Sequence, residues 1–293
     1  MLSPEILQKI KQIQMRAGHL ASEALSGEYL SAFKGKGMEF DDIREYFPGD
    51  DVRAIDWNVT ARMNQPFIKE FREEREMTMI LIVDVSPSQE FGTTGRDKNE
   101  VAAEFAAILA FLAVRNNDKV GLLLFSDHLE HYIPPKKGRG HIWNIIRDVL
   151  EHRGSGKDTQ IDIALQHLMA VTKRKALCFL ISDFYADGYF KIMGQVAKRH
   201  DLVCVQVTDP REYDMPPVGL LEIVGSESEE HFVLDTSSPA TREFIKGLSQ
   251  ERVIELKGYC KKQGIDFVDL HTDGDMVNSI AKFLKGRERR RFR

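Results

Sequence analysis

From residue 77 onward the chain alternates short runs that are apolar throughout with longer segments whose apolar positions recur every three or four residues. The unbroken runs predict strands at 77–84, 119–125, 176–182, 202–208 and 266–270. They lack the polar-apolar alternation of a strand with one wet face, so both faces must be covered. The periodic segments predict helices near 97–116, 140–152, 161–173, 188–199, 239–263 and 274–285. Buried strands alternating with helices imply an α/β domain with a mostly parallel central sheet and helices on both faces. Two pieces break the rhythm. "HLEHYIPP" reads as a short antiparallel strand, and "VGLLEIVGSESEEHFVLDT" as a hairpin insertion at about 218–236 with an acidic turn.

The first 76 residues follow another pattern. Ser3-Pro4-Glu5 predicts an N-cap with proline at the first helical position, and Ile6, Leu7, Ile10, Ile13 and Ala17 give an apolar stripe to about residue 25. "KGKGMEF" reads as a flexible link. Pro48-Gly49 suits the centre of a type II turn, and Asp50 or Asp51 can cap a short helical turn carrying Val52 and Ile55. From Asn58 the reading is extended, with two strands bracketing Asn64-Gln65-Pro66. The division expected is therefore 1–76 as an N-terminal helix and signature segment packed on the core, 77–285 as the main domain, and 286–293 as a basic tail, solvated and disordered.

Composition narrows the class of protein. A formal charge of -4 argues against a general nucleic-acid binder. Cys178, Cys204 and Cys260 lie far apart without a C-x-x-C spacing, so neither a zinc site nor a disulfide framework is indicated, and buried thiols in a reducing compartment are expected. No signal-peptide core and no apolar run of about 20 residues is present, so a cytoplasmic protein without a membrane span is expected. Asn58-Val59-Thr60 fits a glycosylation pattern but reads as part of a strand.

The candidate chemistry sits where strands end. The run Met79-Ile80-Leu81-Ile82-Val83 leads directly into Asp84, Ser86 and Ser88, three oxygen-bearing side chains at alternate positions. Thr159 lies in the loop "GSGKDT" before a helix, and Asp183 follows the run 176–182. Residues that follow different strands of a parallel sheet emerge at one edge, so these five can meet. All offer oxygen and none a soft ligand, which selects a hard cation such as Mg²⁺, with Mn²⁺ or Ca²⁺ as alternatives. Neutral hydroxyl ligands leave such an ion electrophilic, and a carboxylate from another protein would complete its shell.

The segment "DVSPS", with Thr159 and the strand-ending Asp183, resembles the metal-ion-dependent adhesion site (MIDAS) of von Willebrand factor A (vWA) domains, and the likeness extends through "DKVGLLLFSD" and "DTQIDIAL" over roughly residues 77–285. It implies a Rossmann-like vWA domain with the metal at the top of the sheet, held by Asp84, Ser86, Ser88, Thr159 and Asp183. Gln89 stands where that family often has Met, and "GKDT" where "GGT" is commoner; neither change removes a ligand oxygen. The stretch "GKGMEFDDIREYFPGDDVRAIDWNVTARMNQPFIKEFREERE" resembles the signature of the bacterial proteins grouped as domain of unknown function 58 (DUF58). That resemblance implies a MoxR-type AAA+ ATPase as partner and an adaptor or co-chaperone role.

Other readings compete. Asp and Ser at strand ends also serve as caps. Arg44, Asp50, Asp51, Arg53, Asp56, Trp57 and Arg62 read as a buried ion network around a packed Trp57, with a functional surface as the alternative. "GSGKD" is no phosphate loop, since Asp158 stands where Ser or Thr is needed and Glu151 where the first Gly should be. His128, His131 and His141 are general-base candidates, which keeps a metal-dependent phosphoester hydrolase as the alternative to a non-enzymatic binding module. A scaffold with a purely structural metal is the third possibility.

Overall fold

The computed structural model describes residues 23–33, 39–72, 76–152, 154–224 and 231–291, together with positions 12 and 15. Most of the predicted first helix, the link at 34–38 and the acidic turn at 225–230 lie outside the described residues. The described elements begin with α1 (Glu23–Phe33), β1 (Glu39–Glu45), α2 (Trp57–Met63), β2 (Phe67–Arg72), β3 (Thr78–Asp84), α3 (Lys98–Arg115), β4 (Lys119–Phe125) and β5 (Leu129–Lys136). They continue with α4 (Arg139–Glu151), α5 (Ile161–Val171), β6 (Leu177–Ser182), α6 (Phe190–Arg199) and β7 (Asp201–Thr208). The hairpin β8 (Leu220–Val224) and β9 (His231–Asp235), α7 (Pro239–Gln263), β10 (Asp266–His271) and α8 (Met276–Arg291) complete them.

The central sheet has the order β10-β7-β6-β3-β4-β5. All its pairings are parallel except β4 with β5, an antiparallel edge. The reason the strands are apolar at every position is visible in β3 and β6. Met79, Leu81, Val83, Leu177, Phe179 and Ile181 face one buried cluster with α1, α3, α4 and α8. Ile80, Ile82, Cys178 and Leu180 face the other, with α5, α6 and α7. Successive side chains point to opposite faces, so a strand covered on both sides has no position for a polar residue until it ends. Helix α3 is buried almost all round, because α1 covers its outer side with Leu25, Tyr29, Ala32 and Phe33. The three thiols are buried and free. Among the described residues no helix is long and apolar enough to cross a membrane.

Polar clamps lock the amino end of the sheet. Asp118, fully buried before β4, accepts the Met77 N–H at 2.8 Å and the Tyr29 hydroxyl at 3.0 Å. Arg287, also buried, reaches Asp201 at the start of β7, Asp266 at the start of β10 and the Ala32 carbonyl of α1.

Several expectations are corrected. Residues 57–63 form a helix, not a strand: Asp56 caps the N–H groups of Asn58 and Val59, and Asn64 closes the other end in the left-handed region at φ 58°. Asn58-Val59-Thr60 is therefore helical. The link gives way to strand at Glu39. Residues 286–291 continue α8 instead of forming a disordered tail, since Arg287 finds its carboxylates on distant strands. Nor is the signature network a buried one. Arg44 grips Asp50 with two bonds of 2.7 and 2.8 Å, Asp51 caps the Arg53 N–H and Asp56 pairs with Lys69 at 3.3 Å, but Trp57 is 68% exposed. These contacts shape the signature segment locally. The turn at Pro48-Gly49 forms as expected, with Gly49 at φ 114° and the Asp50 N–H bonded to the Phe47 carbonyl.

Removing Arg287 would leave buried Asp266 with only Arg290, whose side chain is largely exposed, as its cation and would take the guanidinium from Asp201. Arg287→Ala is expected to cost about 3 kcal/mol or more in urea unfolding, whereas Arg290→Ala, at a side chain 62% exposed, should cost less than about 1 kcal/mol.

Candidate functional site

Strand β3 has β4 on one side and β6 on the other, so the chain's path through the sheet reverses at its carboxyl end. In open α/β sheets that crevice is where ligands bind. Asp84 closes β3, and Asp183 follows β6 directly. Both are buried.

The chain after Asp84 turns at once. Asp84 Oδ1 accepts the Ser86 N–H at 2.9 Å, Pro87 opens a short 3-10 turn, and the Ser86 and Ser88 hydroxyl oxygens lie 3.1 Å apart. The spacing of two seen in the sequence thus becomes one cluster. Asp84 Oδ2 accepts the Ser182 hydroxyl at 2.6 Å and, more weakly, the Gln89 amide at 3.4 Å. Burial first, and then the charge of Asp183, push the Asp84 carboxyl up to about 7 against the bonds from Ser182 and Ser86.

Asp183 has a resident cation that the sequence reading missed. Lys98, 1% exposed at the start of α3, donates to Asp183 Oδ2 at 2.7 Å and to Glu212 Oε1 at 2.6 Å. Burial opposes its charge, yet the two carboxylates outweigh that and hold the ammonium strongly protonated. Glu212 is itself oriented by a capping box, since its Oε2 accepts the Asp209 N–H at 2.9 Å. Buried Asp209 also takes the Thr93 N–H and hydroxyl and the Thr272 hydroxyl, which ties the loop before α3 to the ends of β7 and β10. No local signal marks Lys98, because its partners are 85 and 114 residues away.

Thr159 is buried at the end of the loop joining α4 to α5. That loop is fastened beside the others: the Gly154 N–H bonds the Val85 carbonyl at 3.1 Å, and the Gln160 N–H bonds the Ser126 carbonyl at 2.8 Å. Glu130 is its anchor, accepting the N–H groups of Ser155 and Gly156 at 2.7 and 3.2 Å and the Ser126 hydroxyl at 2.6 Å. A side chain at position 156 would meet Asp127 Oδ1 and Ser126 Oγ at 2.3 Å, so the packing requires glycine there. Burial raises the Glu130 pKa, but the bonds from Ser126, His152 and Ser155 prevail and lower it to about 2.

The histidines separate. His141 bonds the Val120 carbonyl at the opposite end of β4, and His131 lies 3.4 Å from Asp148. His128 joins a chain of contacts, from Asp127 Oδ1 to Nδ1 at 2.6 Å and from Nε2 to Ser155 Oγ at 3.1 Å. The order resembles a nucleophile, base and orienting acid. Acyl transfer is nevertheless disfavoured, because Glu130 occupies the N–H groups that would stabilise an oxyanion and also accepts from the Ser155 hydroxyl at 3.0 Å.

Among the described residues no trio of His, Cys, Asp or Glu is set to hold a metal. The oxygen set of Asp84, Ser86, Ser88 and Asp183 fits a hard cation only, with Thr159 on the adjoining loop. Lys98 bonds Asp183 and Glu212, and among the described contacts it has no bond to Asp84.

The family described as "Protein of unknown function DUF58" matches residues 42–253. The chain belongs to this family. Its match begins within β1 and includes α2 and β2 as well as the strands that carry the oxygen cluster. An uncharacterized protein of Mycobacterium tuberculosis is 27% identical over 290 residues, covering 98% of this chain and 91% of the relative. Among solved structures, this DUF58 member is similar to BatB from Bacteroides thetaiotaomicron at 15% identity and a TM-score of 0.46, over 73% of this chain and 99% of that one. It is also similar to proximal thread matrix protein 1 from the mussel byssus with a zinc-occupied MIDAS motif, at 14% identity and a TM-score of 0.39, over 73% and 47%. At these scores the fold assignment stands on the strand order, and no function is carried over.

Glu130 supplies a pH test. Its folded value lies below the ordinary 4.5, so its stabilising contribution is complete above that pH and is lost as pH falls towards about 2. The stability difference between wild type and Glu130→Gln, followed by urea unfolding at stepped pH, should therefore narrow across that window. Lys98→Met should destabilise by about 3 kcal/mol or more, since buried Asp183 and half-buried Glu212 lose their shared cation.

Proposed function

We propose that the chain is a non-enzymatic, metal-dependent protein-binding module. The observation that carries the reading is the convergence, at the switch point of the sheet, of the Ser86 and Ser88 hydroxyls with buried Asp84, while Asp183 stands at the neighbouring strand end. In this reading Asp84, Ser86, Ser88, Thr159 and Asp183 hold Mg²⁺, with Mn²⁺ or Ca²⁺ as the other candidates. The ion supplies a Lewis-acidic position that an Asp or Glu of a partner completes. The chain's own part is to fix those oxygens, keep Asp183 oriented through Lys98 and hold the Thr159 loop through Glu130.

We extend this reading to an adaptor or co-chaperone that works with a MoxR-type AAA+ ATPase on a client protein, as the resemblance of the signature segment implies. Among the described residues the candidate histidines give the hydrolase alternative no free base beside the oxygen cluster, since His128 is engaged by Asp127 and Ser155, His131 faces Asp148 and His141 lies at the other end of β4.

Two measurements test the reading together. Saturating Mg²⁺, at about 100 times its dissociation constant, should stabilise the wild type by about 2.7 kcal/mol, and Asp84→Asn and Ser88→Ala should abolish that gain while remaining folded. Affinity capture from a bacterial lysate, with Mg²⁺ or EDTA, should retain an AAA+ ATPase only on wild type with Mg²⁺. Retention indifferent to metal and to both substitutions would defeat the proposal.

A further inference from the structure

Beside the oxygen cluster, and sharing Asp183 with it, lies a cavity of about 790 Å³. Its walls are the loop 183–190 after β6, the ends of β7 and β10, the turn at Glu212 and Tyr213, and residues 249–256 of α7. The volume falls within the range of about 300–1,000 Å³ typical of ligand pockets. It requires nothing from the metal reading.

The lining has a definite chemistry. Asp183, Asp187, Glu212, Glu255 and Asp269 bring five carboxylates, against the single guanidinium of Arg252 and the imidazole of His271. Lys98 answers Asp183 and Glu212 together, and Lys257 answers Asp269 at 2.8 Å. The balance remains negative through Asp187 and Glu255, both exposed at the mouth. Aromatic faces make up much of the wall: Phe184, Tyr185, Tyr189, Phe190 and Tyr213. Two of this chain's own cations already use Tyr185, with Lys98 Nζ 5.8 Å and the Arg252 guanidinium 5.2 Å from the ring centroid. Ile254, 68% exposed, adds an apolar rim.

Backbone and side-chain details mark the wall as a built one. Phe184 holds φ at 61°, a conformation costly for a bulky residue, of order 1–3 kcal/mol. Its N–H bonds the Ser182 hydroxyl at 3.0 Å, so the same turn that presents Asp183 to Lys98 sets Phe184 into the cavity wall. Gln206, 4% exposed, also lines the cavity. Its amide nitrogen donates to the Asp183 carbonyl at 3.4 Å, which fixes the amide's orientation, and its Oε1 has no hydrogen-bond partner among the described residues.

Carboxylates around aromatic faces attract a cation that carries apolar surface, through charge and the ring quadrupole. We infer that this cavity receives an arginine or lysine side chain, with an apolar neighbour, from a peptide segment of a partner protein. A segment is favoured over a free small cation because the volume exceeds one side chain, and because the rim at Ile254 and the mouth at Asp187 and Glu255 are open to a chain lying across them.

The test is an amide-detected NMR titration of the full chain with Ac-Leu-Arg-Leu-NH₂, with EDTA throughout so that no metal takes part. Saturable shifts are expected at 184–190 and 249–256. The Asp187→Asn/Glu255→Gln double variant, altered only at exposed positions, should bind about tenfold more weakly, and Ac-Leu-Glu-Leu-NH₂ should give no saturable shift. Equal binding of the glutamate peptide, or no saturation by the arginine peptide, would overturn the inference. Arginine amide binding as tightly as the tripeptide would overturn the peptide assignment in favour of a small-molecule cation site. Because metal is absent, none of these outcomes depends on the oxygen cluster.

Discussion

Charge balance at the carboxyl end of a parallel sheet is the constraint on which the rest of this molecule turns. Two adjacent strands deliver buried carboxylates, Asp84 and Asp183, to one place. Buried charges must be paired or neutralised, and the fold answers this for one of them by burying Lys98 between Asp183 and Glu212. Asp84 is left with hydroxyl, amide and backbone donors. Much around the edge serves this asymmetry: the capping box that aims Glu212, the Asp209 knot that places the start of α3, and the strained turn at Phe184. Without a cation of its own, Asp84 is pushed towards its neutral form, up to about 7, by burial and by the charge of Asp183.

The sheet was legible in the sequence because its strands are buried on both faces, and β3 and β6 could not be apolar at consecutive positions otherwise. The antiparallel β5 was equally readable, from the break in rhythm after β4. What failed was local. Val59 and Thr60 suggested a strand, yet Asp56 and Asn64 form caps that enclose one short helix, and those signals outweigh β-branching. The tail failed for the reverse reason: Arg287 is ordered by Asp201 and Asp266, 86 and 21 residues away, and composition cannot register such pairing.

The candidate site divides in the same manner. The spacing of Asp84, Ser86 and Ser88 belongs to a single turn, and it survives as direct contacts. The roles of Lys98 and Glu130 depend on loops brought together by the sheet, so the sequence offered no hint of either. Trp57 was misjudged through residue type alone: a tryptophan among ion pairs suggested packing, whereas those pairs are local to an exposed segment.

Arg287 carries a consequence of a mechanical kind. By joining α8 to the Ala32 carbonyl of α1 and to the first residues of β7 and β10, it shares any load on either helix among several elements at the end of the sheet remote from the oxygen cluster. Traction applied there meets resistance in shear across two strands instead of peeling away one edge. The opposite end is fastened differently, loop to loop through Lys98, Asp209 and Glu130, so the two ends of the sheet are tied by separate sets of contacts.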